Sequence, residues 1–241
     1  MRKWADIAVL LLCLSLATPA GAGQALLVQG VEAQKTGRNE QAVELLGQYL
    51  KKYPQIAEAR RYRALALAAL GRKSEALEEV DRGLKDNPQD CGLLLAYGSI
   101  LSGMERRPEA IAAYSQVVVA DPKNAEAFKE RGECQSQEGC FLAAIEDFNR
   151  AAALAPKDPW VYNKRGMAWF CQGDFNKAVA DFTTAIKVAP NAPHAYYFRG
   201  NVYCFHLDQK DKAMADYRQA CRLGHPLACR ELEKLGGQPE K

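Results

Sequence analysis

The residues most able to do chemistry in this chain are three histidines and eight cysteines. The histidines form no His-Glu-x-x-His zinc motif, and the sequence has no phosphate-binding glycine loop, Gly-x-Ser-x-Gly elbow or Cys-x-x-Cys redox pair. A cysteine nucleophile needs a neighbouring base, and Cys204 with His206 is the nearest such pair. Residues two apart on a helix do not share a face. We therefore predict no catalytic residues and no enzymatic activity.

A second group, Cys221, His225 and Cys229, has a spacing that raises the question of a metal site. It offers three ligands, whereas a structural zinc ion needs four, and the sequence supplies no evident fourth. We predict neither a metal nor a cofactor. Gly224 and Pro226 instead predict the end of one helix and the start of the next, which places the two cysteines across a tight corner.

The N-terminus has the pattern of a secretory signal peptide. Arg2 and Lys3 precede an apolar run over residues 7–17, and Ala20-x-Ala22 follows as a cleavage motif. An uncleaved anchor is the alternative, but a membrane span needs about 20 apolar residues. We predict that residues 1–22 are removed before Gly23 and that the protein is periplasmic or secreted. Seven cysteines then remain, a number typical of an oxidising compartment.

Charge gives little indication of a partner. The chain has 32 basic and 29 acidic residues, well mixed and without a Lys/Arg block. Nucleic acid is therefore not expected as a partner, and no membrane span is expected after removal of the signal.

Proline recurs at a step of 34 residues, which predicts stacked supersecondary units rather than one globular core. The prolines are Pro54, Pro88, Pro122, Pro156 and Pro190. Small residues follow ten positions later, namely Ala64, Gly98, Gly132, Gly166 and Gly200. Mid-unit glycines suit a left-handed helix C-cap and stand at Gly37, Gly71, Gly139 and Gly173, whereas Glu105 occupies that place in the third unit. Each unit therefore reads as helix, turn, helix, turn.

The best-formed unit runs Lys164-Arg-Gly-Met-Ala-Trp-Phe-Cys-Gln-Gly173, then Ala178-Val-Ala-Asp-Phe-Thr-Thr-Ala185 and Val188-Ala-Pro190. These residues resemble the tetratricopeptide repeat (TPR). The resemblance implies an all-α, right-handed superhelical solenoid of antiparallel helix pairs over residues 23–227. Its six repeats are 23–56, 57–90, 91–124, 125–158, 159–192 and 193–227, followed by a capping helix at 226–236 and a disordered tail at 237–241.

The cysteine corner resembles that of Sel1-like repeats, relatives of the TPR in which the same spacing is bridged. The resemblance implies a disulfide between Cys221 and Cys229. Two further bridges stay open at this point, Cys171 with Cys204 and Cys134 with Cys140. Cys91 is then left unpaired or pairs between chains.

Arginine recurs just before the small landmark residue, and an acid follows it 16 or 17 residues later. The third repeat has Tyr97 in place of the arginine and Ala113 in place of the acid, so the two positions change together. We predict structural ion pairs between the two helices of a repeat: Arg63 with Glu79, Arg131 with Asp147, Arg165 with Asp181, and Arg199 with Asp216.

The TPR resemblance also implies a ligand groove along the first helix of each repeat. Aromatic, amide and lysine side chains suit an extended peptide there. The groove candidates are Lys129, Trp160, Asn163, Lys164, Met167, Tyr197, Phe198 and Asn201. In the last repeat the alternative is that the capping helix buries these aromatic side chains as core.

Together these features predict a non-catalytic scaffold or adaptor that binds a protein or peptide in the bacterial cell envelope. The alternative is a structural solenoid that self-associates and has no dedicated groove ligand.

Overall fold

The computed structural model describes residues 19–238, and the signal sequence expected at 1–22 lies largely outside them. Thirteen helices make up the described residues, with short turns between them. Their bounds are α1 Pro19–Lys35, α2 Asn39–Lys52, α3 Ala57–Ala69, α4 Lys73–Asp86, α5 Cys91–Gly103, α6 Arg107–Ala120, α7 Ala125–Gln137, α8 Phe141–Leu154, α9 Pro159–Cys171, α10 Phe175–Val188, α11 Pro193–Phe205, α12 Lys210–Arg222 and α13 Pro226–Lys234.

The chain divides between Ala120 and Asp121 into two compact units. The first unit holds three helix pairs, α1 with α2, α3 with α4, and α5 with α6. The second unit holds three more, α7 with α8, α9 with α10, and α11 with α12, and α13 packs against α12 at its end. The all-α repeat fold expected from the 34-residue period is confirmed. Gly237, the first residue of the predicted tail, still contacts the last helix, because its N–H donates to the Leu232 carbonyl.

The small landmark residues explain how the two helices of a pair approach so closely. A Cβ atom added at Gly166 would lie 2.9 Å from the Phe182 ring, which leaves no room for a side chain. The same arrangement joins Gly98 to Tyr114, Gly132 to Phe148, and Gly200 to Tyr217. These rings are among the largest fully buried side chains, so a repeated small–aromatic contact forms the centre of these four pairs, while Leu46 takes the place of the ring opposite Gly30 in the first pair.

The turn inside each pair has the left-handed conformation that the glycines indicate. Gly37, Gly71 and Gly139 have φ of 78°, and Gly173 has 79°. Glu105 takes the same conformation at φ 61°, although its side chain makes that backbone unfavourable. In the last pair the turn is one residue longer, and Asp208 adopts φ 49°.

None of the helices within residues 19–238 has the length and apolar character that crossing a bilayer requires.

Candidate functional site

The first helices of the second unit, α7, α9 and α11, carry the predicted groove residues. Trp160 lies in the first turn of α9, where its backbone N–H donates to the side chain of the N-cap residue Asp158. The Trp160 ring meets the Phe148 ring edge-on, with centroids 6.0 Å apart. Phe148 is fully buried, so the tryptophan stands on the core of the preceding repeat.

Two lysines flank the Trp160 ring. The Lys129 ammonium lies 5.1 Å from the ring centroid and the Lys164 ammonium lies 5.2 Å from it, within cation–π range. Lys129 also pairs with Glu126 and Asp158 at 3.1 and 3.4 Å. Lys164 pairs with Glu133 at 2.7 Å. The structure therefore brings Lys129, Trp160 and Lys164 together, and each lysine already has a carboxylate partner.

Two further acceptors lie on the same helices. Burial raises the pKa of the Glu130 carboxyl, Glu126 and Glu133 raise it further, and Lys129 partly offsets them. The Asn163 Oδ1 atom is buried and accepts no hydrogen bond from the described residues. Met167, one turn further along α9, is exposed. We call this surface, comprising Glu130, Trp160, Asn163, Lys164 and Met167, the α7–α9 face.

The predicted groove residues of α11 make contacts within the protein instead. The Tyr197 ring stacks on His225 at a centroid distance of 4.3 Å, and Phe198 stacks on Phe182 at 5.9 Å. The Asn201 Oδ1 accepts a 2.9 Å hydrogen bond from the Tyr217 hydroxyl. Of the two alternatives for the last repeat, sealing by the final helix accounts for Tyr197. All three residues are only half-buried, so their role as ligand contacts stays a prediction.

The corner at the end of the chain is bridged. Cys221 and Cys229 form a disulfide with their Cα atoms 4.8 Å apart, between the end of α12 and the start of α13. The other two candidate bridges are not formed among the described residues. Cys134 is buried while Cys140 is exposed, so these side chains face different surroundings. Cys171 and Cys204 are free, as is Cys91.

The side chains of Cys204 and His206 have different neighbours. His206 stacks on Phe175 at 4.1 Å and meets Phe170 edge-on at 5.0 Å. Cys204 instead lies beside Tyr217, whose pKa is raised by burial and by this neighbour. In the part of the chain that the structure describes, no group of three His, Cys, Asp or Glu side chains could hold a metal ion.

The four arginine–acid pairs are all present between the helices of their repeats. Arg131, Arg165 and Arg199 each hold an aspartate through two hydrogen bonds of 2.6–2.8 Å. Arg63 contacts Glu79, which also accepts a hydrogen bond from Arg60. The acids are less than a tenth exposed, so these pairs are buried rather than superficial.

Sequence reasoning missed a second hydrogen-bond partner of two of these arginines. The Arg165 guanidinium also donates to Asn149, and that of Arg199 donates to Thr183, each at 2.8 Å. Both partners stand 16 residues before their arginine, on the second helix of the preceding repeat. A search for polar residues at that spacing would have found them.

Comparison with known families gives one consistent result. Models described as tetratricopeptide repeat match residues 27–90, 99–161, 159–192 and 193–223. No curated protein matches the chain at a significant level.

Solved structures with the same architecture have low sequence identity to this chain. PilF of Pseudomonas aeruginosa is 19% identical, with a TM-score of 0.76 over 88% of this chain and 97% of its own. MamA is 24% identical, with a TM-score of 0.64 over 66% of this chain and 93% of its own. YrrB, described as a TPR protein with an unusual peptide-binding site, is 18% identical, with a TM-score of 0.66 over 80% of this chain and 100% of its own. At this level of identity the likeness concerns the fold.

Proposed function

The chain belongs to the tetratricopeptide repeat family, and on that premise we propose that it is a non-catalytic scaffold that holds an extended peptide against the α7–α9 face. The observation that carries the proposal is the group of Trp160, the acceptor oxygen of Asn163 and the exposed Met167 on consecutive turns of α9. An aromatic ring, an apolar tip and an unsatisfied amide are the contacts that anchor a peptide. The peptide-binding site named for YrrB, of the same fold, supports this proposal.

The charges on this face favour a ligand that donates hydrogen bonds. Glu126, Glu133 and Asp158 are engaged by Lys129 and Lys164. Glu130 is partly offset by Lys129 and shares a hydrogen bond with Glu126, so the Asn163 oxygen is the acceptor on this face that still needs a donor. A backbone amide or a lysine side chain of a bound peptide would supply one.

The setting we propose is the bacterial cell envelope. It rests on the N-terminal signal pattern and on the cysteine corner, since a disulfide persists in an oxidising compartment.

Photo-crosslinking in the organism that makes the protein tests this function. A crosslinker at position 167 should capture one discrete protein, while a matched probe at position 180, exposed on α10, should capture none. The same smear from both positions, or no product from 167, would contradict a dedicated ligand for this face.

The second candidate function is structural self-association, which the exposed Phe205 favours. Its side chain is 62% exposed at the end of α11, an unusual position for a large aromatic group. Self-association through it predicts a sedimentation coefficient that rises with concentration and no longer does so in Phe205→Ser. A constant monomer value for the native chain would rule this candidate out.

A further inference from the structure

A cavity of about 560 Å³ opens between α2 and α4 of the first unit, above the side chains of α3. Its walls include Gly47, Lys51, Arg60, Arg63, Glu79 and Arg82. We call this space the α2–α4 notch. It lies among the second helices of its repeats, so it is distinct from a face built by first helices.

In the repeats of the second unit, other residues occupy the positions that correspond to the lining of the notch. The guanidinium of Arg165 lies 5.5 Å from the centroid of Tyr162, three residues earlier, and that of Arg199 lies 5.9 Å from Tyr196. Asn149 and Thr183, 16 residues before these arginines, each accept a further hydrogen bond. Each of these arginines therefore has an aromatic neighbour, an aspartate and a polar acceptor.

The notch departs from this pattern at two places. The position of the aromatic residue holds Arg60, whose Nε donates to the Pro54 carbonyl at 2.9 Å, just as the Tyr162 hydroxyl donates to Pro156. The position of the polar acceptor, 16 residues before Arg63, holds Gly47. One change adds a cation, and the other removes an acceptor and leaves space.

The consequence is an excess of positive charge that the notch does not neutralise. Arg60 and Arg63 share the single carboxylate of Glu79, which is 3% exposed. Lys51, Arg60, Arg63 and Arg82 stand against the lining carboxylates Glu44 and Glu79, and Arg82 also pairs with Glu78 at 3.5 Å, so four positive charges meet three negative ones and the net charge is +1. The Nε of Arg63 is buried and donates to no described residue.

We propose that the α2–α4 notch binds a phosphate group, either as the inorganic ion or as a phosphomonoester. A phosphate carries about −1.5 to −2 charges at neutral pH and presents three strong acceptor oxygens, enough to accept from several of these guanidinium groups at once. Guanidinium groups suit it because each presents several N–H donors in one plane. The cavity is larger than the ion alone, which leaves room for the organic part of an ester along Val43 and Leu50.

Isothermal titration of the full chain tests the proposal, with inorganic phosphate and glycerol 3-phosphate in separate runs at constant ionic strength. We expect one saturable site per chain with a Kd of about 1 mM or tighter, and much weaker binding of acetate. If both inorganic phosphate and glycerol 3-phosphate bind, the notch accepts phosphomonoesters. If only inorganic phosphate binds, the ligand of the notch is the free ion. No saturation by either up to about 20 mM would overturn the proposal, since that affinity is too weak for a formed site.

Variants distinguish specific binding of phosphate in the notch from non-specific electrostatic attraction to the protein surface. Gly47→Asp supplies the missing acceptor and occupies the space; its Cβ would stand 3.5 Å from the Arg63 Nε, an ordinary contact, so the fold should persist. We expect this variant to lose at least about tenfold in affinity without a lower melting temperature. Arg82→Gln should also weaken binding by about tenfold, whereas Arg72→Gln, which removes the same charge outside the notch, should not. Native-like binding by Gly47→Asp, or equal losses in Arg72→Gln and Arg82→Gln, would refute the site.

Discussion

At the scale of single residues, a buried carboxylate opposite each landmark arginine makes these ion pairs more consequential than their sequence pattern suggests. Exposed pairs contribute about 0–1 kcal/mol, and the pattern alone gives no information about burial. The Asp181 side chain is 9% exposed and accepts two hydrogen bonds from Arg165. Removing the arginine therefore leaves a buried negative charge without a partner.

We expect Arg165→Ala to lower the free energy of unfolding by about 3 kcal/mol, the usual cost of breaking a buried pair from one side. Arg72→Ala is the matched control, because the Arg72–Glu75 pair is largely exposed, and its loss should change the free energy of unfolding far less than that of Arg165→Ala. Urea denaturation measures both. Equal losses in the two variants would show that burial of Asp181 does not matter.

Glu105 is the one mid-pair turn residue of the first five repeats that is not glycine, and its φ of 61° is unfavourable for it. Glu105→Gly should therefore raise the free energy of unfolding by about 1 kcal/mol. The reverse change, Gly71→Glu at φ 78°, should lower it by a similar amount. Denaturant midpoints that move in the same direction for both variants would contradict this account.

At the scale of elements, the last helix is held by two features at its N-terminus. The His225 Nδ1 caps α13 by accepting the Ala228 N–H at 3.3 Å, and the disulfide joins α12 to α13. Both features lie where the solenoid would otherwise expose the core residues Ala228 and Leu232. They close the end of the stack.

The cap should weaken in mild acid. Burial lowers the pKa of His225, and the neighbouring His194 lowers it further. An unfolded histidine takes up a proton near pH 6.5 while the folded one resists, so the unfolded state binds more protons below that pH. The contribution of neutral His225 to the free energy of unfolding is thus fully present above about pH 6.5 and is lost as the pH falls below that value. His225→Asn, which retains a capping oxygen, should show a smaller loss of denaturation midpoint between pH 7.5 and 5.5 than the native chain.

Reduction of the disulfide should also loosen this end. Closing a loop of eight residues accounts for about 2–3 kcal/mol in the chain-entropy model. Cys221→Ala with Cys229→Ala should lower the melting temperature, and a reducing agent should then have no further effect. Peptide mapping under non-reducing conditions should recover both cysteines in one linked peptide; free thiols at both would contradict the bridge.

The helix pairs were predictable because each depends on a few residues at fixed spacing, such as Gly166 against Phe182. The α7–α9 face was only partly predictable. Trp160 and Lys164 were found from their place in the repeat, but the pairing of Lys164 with Glu133 depends on how two neighbouring repeats align. The use of Tyr197 as a contact for the cap depends on His225, 28 residues away, which no repeat pattern specifies.

At the scale of the whole molecule, the expected location of the protein depends on processing of its N-terminus. Gly23 lies inside α1, and its added Cβ would meet the ring of Tyr53 at 2.8 Å, so the mature chain would begin within a packed helix. We predict an intact mass that starts near Gly23 in protein isolated from the cell envelope. A mass that includes Met1 would contradict export with cleavage.

The constant step between small residues and their buried rings has a consequence for the gene. Because Gly132, Gly166 and Gly200 each meet an aromatic ring in the same way, removing or duplicating 34 codons would join one repeat to the next without changing the partners inside a pair. The coding sequence can therefore lengthen or shorten by recombination in whole steps. The final repeat is different, since its extra turn residue and its cap tie it to one place at the end of the reading frame.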